Sequence, residues 1–244
     1  MLSNGVSMER VNVAGISGII LGPGKEEEAP GLIWYHGWAS DSESQIFRAN
    51  IFASYGFHVL LIDGKNHGLR GTINYEDEKV QEEKLMATIL SNIEEFPKVV
   101  EDFKKLRKLS KVFVGGHSMG AMTAGALLGA YDEVYGALCF NGMNDWGHYK
   151  SMFGANKGKE QWENNYSEYN PINDPEKFVN KPLGMFNGAE DEEVNPDFQA
   201  KFYQMVAPLY KDREAIEFMR IEGNPHMIST NMLEEGIKFL LKWK

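Results

Sequence analysis

The sequence predicts one α/β domain: a mostly parallel central sheet with an antiparallel hairpin at the N-terminal end and helices on both faces. Three observations predict it. Apolar runs of strand length alternate with longer amphipathic or small-residue segments, which is the rhythm of strand-helix-strand units. The pentapeptide Gly116-His117-Ser118-Met119-Gly120 stands between such a run and a helix-forming segment. Further along, an acidic cluster and a histidine each follow a later strand. The 244 residues fit one domain of the larger kind, and the net charge of −10 argues against nucleic acid as a partner.

In chain order, Val6 to Val13 and Ile16 to Leu21 alternate apolar and polar positions around Gly15, as an antiparallel hairpin does. Gly22-Pro23-Gly24 and the charged Lys25 to Glu28 make an exposed turn. Gly31 to Tyr35 is a continuous apolar run, predicted as a fully buried strand that stops at His36-Gly37-Trp38. Phe47 to Tyr55 reads as a helix closed by Gly56, and Phe57 to Ile62 as the next buried strand. The loop from Asp63 to Gly68 follows, with Gly64, Gly68 and Gly71 giving it a defined shape; Asp63 and His67 are read as organising it, and His36 and His58 as structural. Glu78 to Leu109 places Leu85, Ile89, Ile93, Phe96, Val100, Phe103 and Leu106 at three- and four-residue spacing. It is predicted as an amphipathic helix packed on the sheet, interrupted or kinked at Pro97.

Lys111 to Gly129 is the stretch around which the rest is organised. Val112, Phe113 and Val114 form a buried strand, and Ala121, Ala124, Gly125, Ala126 and Leu128 a helix of small residues. A strand that reverses sharply into a helix holds its turn residue in a strained backbone conformation, and only small residues two positions before and after it allow the chains to approach. Gly116 and Gly120 occupy those positions, so the Ser118 hydroxyl is pushed out at the carboxyl end of the strand. The helix N-terminus directs N–H groups and partial positive charge at the same point.

Tyr135 to Phe140 is the next strand, with Cys139 in it as a small buried hydrophobe. Asn141 to Asn180 then breaks the rhythm, carrying Trp146, Tyr149, Phe153, Trp162, Tyr166 and Tyr169 among polar residues. This segment, 141–180, is read as a small lid over the carboxyl ends of the strands, with Trp146 and Trp162 supplying walls of a substrate pocket. The strand Pro182 to Phe186, the polar segment Asn187 to Pro196, the helix Pro196 to Tyr210, the strand Ile216 to Ile221, the loop Glu222 to His226 and a helix from Thr230 complete the chain. Ser118, an acid after one late strand and His226 after the next thus follow one another in the order serine, acid, histidine, each at the carboxyl end of a strand, where loops of an open parallel sheet converge. Asp145, His148 and Glu190 are alternative candidates.

These features resemble the α/β-hydrolase superfamily, over nearly the whole chain: His36-Gly37 after a central strand, Asp63 to Gly68 after the next, the Gly116 to Gly120 elbow, the Gly188-x-x-Asp191-x-x-Val194-x-Pro196 segment and His226 before the last helix. Within it the chain is similar to small bacterial esterases and hydrolases of the dienelactone-hydrolase and prolyl-oligopeptidase-like branch. The resemblance implies Ser118 as nucleophile, His226 as general base and then acid, Asp191 as its orienting partner, and the N–H groups of Trp38 and Met119 as oxyanion hole. The crowding of Glu190, Asp191, Glu192 and Glu193 departs from the pattern and leaves the choice of acid open.

The chemistry asks for the same residue types. A serine hydroxyl needs an imidazole to take its proton, the imidazole needs a partner to fix its tautomer, and the developing oxyanion needs two donors. The expectation is a cytoplasmic serine hydrolase acting on small carboxylic esters. Thioesterase or lactonase action would use the same residues; peptidase action is disfavoured by the lack of an extra N-terminal domain, and a non-catalytic ligand-binding protein by the presence of all three side chains. No cofactor and no metal are expected, because the six histidines form no HExxH and there is one cysteine. No signal peptide or membrane-length apolar run stands in the first thirty residues.

Overall fold

The structure is a computed structural model that describes residues 2–149 and 166–244, with the exception of the His148 side chain. Eight strands form one sheet: β1 (Ser7–Val13), β2 (Ile16–Gly22), β3 (Ala29–Tyr35), β4 (His58–Ile62), β5 (Leu109–His117), β6 (Gly136–Phe140), β7 (Leu183–Gly188) and β8 (Ile216–Ile221). Their order across the sheet is β1-β2-β4-β3-β5-β6-β7-β8. The hairpin β1-β2 is antiparallel and joins β4 antiparallel, and every pairing from β4 to β8 is parallel. This is the α/β-hydrolase arrangement, and all the loops that follow β3 to β8 leave the sheet at one end.

Both faces are covered. On one face α1 (Ile46–Ser54) and α5 (Thr230–Trp243) bury Phe52, Leu233, Ile237 and Leu240 against Leu32, Trp34, Leu61 and Phe140. On the other, α2 (Glu78–Leu106), α3 (Met119–Ala130) and α4 (Pro196–Val206) bury Ile89, Ile93, Phe96, Leu127 and Phe202 against Ile33, Val114 and Met185. Parallel strands covered on both sides carry no polar face, which is why β3 and β6 read as unbroken apolar runs and β4 as one after its first residue, His58. Three helix starts are fixed by side chains: Asp77 accepts from Lys79 N–H, Asn195 from Asp197 N–H and Ser229 from Met232 N–H.

Two boundaries differ from the sequence reading. The helix α2 ends at Leu106, and Leu109 opens β5. Arg107 takes an extended backbone there, with its guanidinium donating to the Leu106 carbonyl and to Glu9 across the sheet edge, so the three-residue spacing of Leu106 and Leu109 spans the junction of two elements. Pro97 lies inside α2 and does not interrupt it. In the segment 141–180 the described residues contain short helical turns at Trp146–His148, Pro171–Asn173 and Pro175–Phe178, a helical piece at 166–169, and no strand.

Candidate active site

The chain reverses its direction of progress across the sheet between β3 and β5. From β3 it moves outward to β4, and then returns to the other side of β3 as β5, so the loops after β3 and β5 diverge from neighbouring strands and leave a crevice between them. The register is explicit: Tyr35 pairs with Gly116 and His117 with Phe140. Ser118 therefore emerges with His36-Gly37-Trp38 on one side and Asn141 on the other.

Ser118 sits at φ 53°, ψ −116° as the residue preceding the first turn of α3. A positive φ at a residue with a side chain costs roughly 1–3 kcal/mol, and here the surroundings hold it. Its N–H donates to the Phe140 carbonyl at 2.9 Å, and its carbonyl accepts from Ala121 and Met122. The two flanking glycines are required by contact rather than by φ. A Cβ on Gly116 would lie 2.5 Å from the Tyr35 oxygen, and one on Gly120 would lie 2.1 Å from the same atom. The elbow is thus packed directly against the end of β3. Met119 is the first helical residue, whose N–H has no carbonyl one turn earlier in its own helix to bond. Trp38 N–H, in the β3 loop, donates to no acceptor among the described residues.

Asp191 and His226 come together above the carboxyl ends of β7 and β8. Asp191 is buried after β7, and its Oδ1 accepts from the N–H groups of Glu193 and Val194 at 3.0 and 2.8 Å. That local turn leaves Oδ2 free to accept from His226 Nδ1 at 2.7 Å. With Nδ1 donating, a neutral His226 carries its lone pair on Nε2. The loop that bears His226 is tied back to β7 through Glu190 N–H, which donates to the Asn224 carbonyl. Ser118 and His226 line one cavity of about 240 Å³, together with Gly37, Trp38, Met119, Met122, Met143, Tyr149, Leu85 and Val194. The Ser118 hydroxyl makes no hydrogen bond among the described residues; apo catalytic contacts are commonly long until substrate closes them. Beside this cavity, and sharing Glu193 and His226 with it, lies an open groove of about 900 Å³ walled by Glu190, Glu192, Asp197 and Arg220.

The other candidates are occupied elsewhere. Asp63 is buried and accepts from Ser42 and Leu69 N–H with its two oxygens, shaping the β4 loop. His67 stacks on Tyr75 with ring centroids 4.9 Å apart, and burial pulls its pKa down to about 4. His36 is buried, donates from Nδ1 to the Gly37 carbonyl and accepts at Nε2 from Gly64 N–H, fixing the turn that carries Trp38. His58 bonds the Glu27 carbonyl of the loop between β2 and β3. Asp145 caps the Trp146–His148 turn through Gly147 N–H and pairs with Lys201. Glu190 lines the open groove without contacting His226, and the Cys139 thiol is buried with its pKa pushed up to about 12. Trp162 and the His148 side chain lie outside the described residues. Trp146 is buried in the core and is not among the residues lining the cavity; Met143 and Tyr149 of the same segment are. Among the described residues no three metal-ligating side chains converge, and no helix is long and apolar enough to cross a membrane.

Residues 43–244 match the model of the prolyl oligopeptidase family, Peptidase S9. The chain belongs to that family. It is accordingly a hydrolase, and the converging loops described above are where its chemistry is to be sought. It is 25% identical to a Bacillus subtilis protein named "Putative esterase YitV", over 91% of this chain and 93% of that one. To esterase YjfP of Escherichia coli it is 24% identical, over 88% and 89% of the two chains. Among solved structures, TT1662 from Thermus thermophilus shares the fold with a TM-score of 0.81 at 24% identity, covering 98% of each chain.

Cavity walls from α2 were missed by sequence reasoning. Gln81 and Leu85 line the cavity, but in the sequence Leu85 is one more position of an apolar stripe. Tyr149 carried a signal as an aromatic in the strandless segment. Its hydroxyl donates to the Gln81 and Glu82 carbonyls, which pins that segment to the first turns of α2.

Proposed function

We propose that the protein hydrolyses small carboxylic esters through an acyl-enzyme on Ser118. The observation that carries this reading is the 2.7 Å bond from His226 Nδ1–H to the buried Asp191, which leaves Nε2 as base at a cavity that Ser118 also lines. The esterase names of the two relatives support the substrate class.

In the first half-reaction Ser118 Oγ attacks the acyl carbon as His226 Nε2 takes its proton. The carbonyl π pair moves to oxygen, and the N–H groups of Met119 and Trp38 stabilise that oxyanion, each donor contributing roughly 3 kcal/mol. Asp191 holds the imidazolium without taking a proton from it. When the intermediate collapses, the ester C–O bond breaks and His226 gives its proton to the departing alkoxide. Water then attacks the acyl-enzyme with His226 again as base, and the acid leaves as Ser118 regains its proton.

The cavity limits the substrate. Its roughly 240 Å³ lies below the usual range for drug-sized ligands, and Leu85, Met122, Met143 and Val194 supply apolar wall. A short acyl group fits it. The segment 141–180 acts in this reading as a cap, contributing Met143 and Tyr149. A panel at fixed acyl group decides the leaving group: acetyl and butyryl p-nitrophenyl esters, the matching p-nitroanilides and thioesters. Ester turnover at least a hundredfold above anilide turnover is expected. Faster anilide than ester turnover would replace the esterase reading with a peptidase one.

A further inference from the structure

We infer that His117, the residue between Gly116 and the nucleophile, is a positioning residue that sets the spacing between the oxyanion loop and His226, acting as a neutral imidazole with its proton on Nδ1. The inference rests on the esterase reading for its catalytic consequence, though not for the state of the ring.

Three contacts define the side chain. Its ring packs on that of His226 with centroids 4.9 Å apart and planes tilted by 41°. Its Nδ1 lies beside the backbone of Gly37, where a Cβ would be 3.1 Å away, so the ring also backs the loop that carries Trp38 N–H. Its Nε2 lies 3.4 Å from Asn141 Nδ2. The last contact fixes the tautomer. Asn141 Oδ1 accepts from Gly188 N–H at 2.8 Å, so the amide can turn only its NH₂ toward His117. An amide NH₂ is a donor alone; His117 Nε2 therefore accepts, and the ring proton resides on Nδ1. Burial, then the neighbouring His226, then Arg48 from α1 all oppose a positive charge there, and pull its pKa down to about 3.

The consequence is mechanical and electrostatic. Asp191 hydrogen-bonds the Nδ1 edge of the His226 ring, and the exposed Glu193 carboxylate lies 3.8 Å from Nε2, beyond hydrogen-bond reach; both contacts are at the ring's edges and leave its faces unsupported. His117 supports one of those faces. Because His117 stays neutral, it does so without repelling the imidazolium that forms on His226 during acyl transfer. A ring that separates the oxyanion loop from the base also sets where the two reach the substrate relative to Ser118.

The test combines catalysis with spectroscopy on the full-length chain. His117→Ala and His117→Asn both remove the ring face, and His117→Phe restores it without the polar atoms. With p-nitrophenyl acetate, kcat is expected to fall about ten- to a hundredfold in His117→Ala and His117→Asn, with KM within about threefold, since small misplacements of reacting groups cost on that scale. His117→Phe is expected to recover most of kcat. Thermal unfolding of each variant checks folding, and the Asn variant stands in if the Ala variant does not fold. Unchanged kcat in the ring-deleted variants would overturn the proposal, as would equal loss in His117→Phe. Independently of turnover, ¹⁵N NMR of the imidazoles should place the His117 proton on Nδ1 and find no titration of that ring between pH 8 and 5. An Nε2–H tautomer, or titration in that range, would overturn it even in an active enzyme. Absence of ester turnover in the wild-type chain would instead overturn the esterase reading, with the NMR result still deciding the state of His117.

Discussion

Replacing Asp191 by Asn tests the orientation of the proposed base, because the structure leaves the new amide one favourable way to sit. Oδ1 of Asp191 accepts two loop N–H groups, from Glu193 and Val194, and Oδ2 accepts one from His226. If the amide oxygen stays with the loop, both loop bonds survive and the NH₂ faces His226 Nδ1. If the amide turns over, its NH₂ meets two N–H donors, and the loop loses two hydrogen bonds at roughly 1–3 kcal/mol for each buried group left unpaired. The first arrangement wins. It forces His226 to accept at Nδ1 and so to carry its proton on Nε2, where it cannot remove the proton of Ser118. Loss of the correct tautomer in a serine triad lowers kcat about 10⁴-fold, equivalent to about 5 kcal/mol of barrier. Initial rates on p-nitrophenyl acetate measure it, beside a thermal melt that should move little because the loop bonds remain. Asp191→Asn retaining more than a tenth of wild-type kcat, in a folded protein, would refute the reasoning and turn attention to Asp145 or Glu190 as the acid.

Other expectations concern stability and selectivity. Gly120→Ala places a methyl 2.1 Å from the Tyr35 oxygen and 2.8 Å from the His36 oxygen, both backbone atoms. The protein is expected to lose about 3 kcal/mol, a fall in Tm of roughly 6–12 °C for a chain of this size, and an unchanged melt would mean that the elbow and β3 are farther apart. Tyr149→Ala should enlarge the cavity and raise the octanoyl-to-acetyl preference in kcat/KM by about tenfold or more; an unaltered chain-length profile would remove Tyr149 from the acyl site. The folded-state pKa of His67, near 4, lies below its ordinary value near 6.5, so between those two the unfolded chain binds more protons. Stability should therefore be full above about pH 6.5 and decline as pH falls toward 4. Urea midpoints across that window measure the effect, and His67→Gln should flatten the slope; a slope unchanged by the substitution would assign it to other groups.

The sheet was legible, as was the placing of the three candidate residues at the ends of strands, because each is written in local chemistry. β3 and β6 are short unbroken apolar runs, Gly116 and Gly120 flank the serine where a Cβ would meet the Tyr35 oxygen, and Asp191 and His226 lie in the loops after adjacent strands. The end of α2 was not legible, since Leu106 and Leu109 continue the helical spacing while Arg107 is drawn out of the helix by Glu9, a partner 98 residues away in sequence. Nor was the difference between Trp146 and Tyr149. Both are aromatic residues of the same strandless segment; what separates them is a turn capped by Asp145 that sends Trp146 into the core and an anchor on α2 that holds Tyr149 at the cavity. The pairing of His117 with His226 depends on β5 and the last loop meeting above the sheet, which no single stretch of sequence records.

The central claim is that Ser118 is an activated nucleophile. The most direct measurement is to treat the protein with a fluorophosphonate, digest it and locate the adduct by mass spectrometry, with p-nitrophenyl ester turnover followed in parallel for wild type and Ser118→Ala. The account predicts one adduct, on the peptide containing Ser118, with labelling and turnover both lost in the variant. Labelling at another residue, or ester turnover that survives in Ser118→Ala, would contradict it.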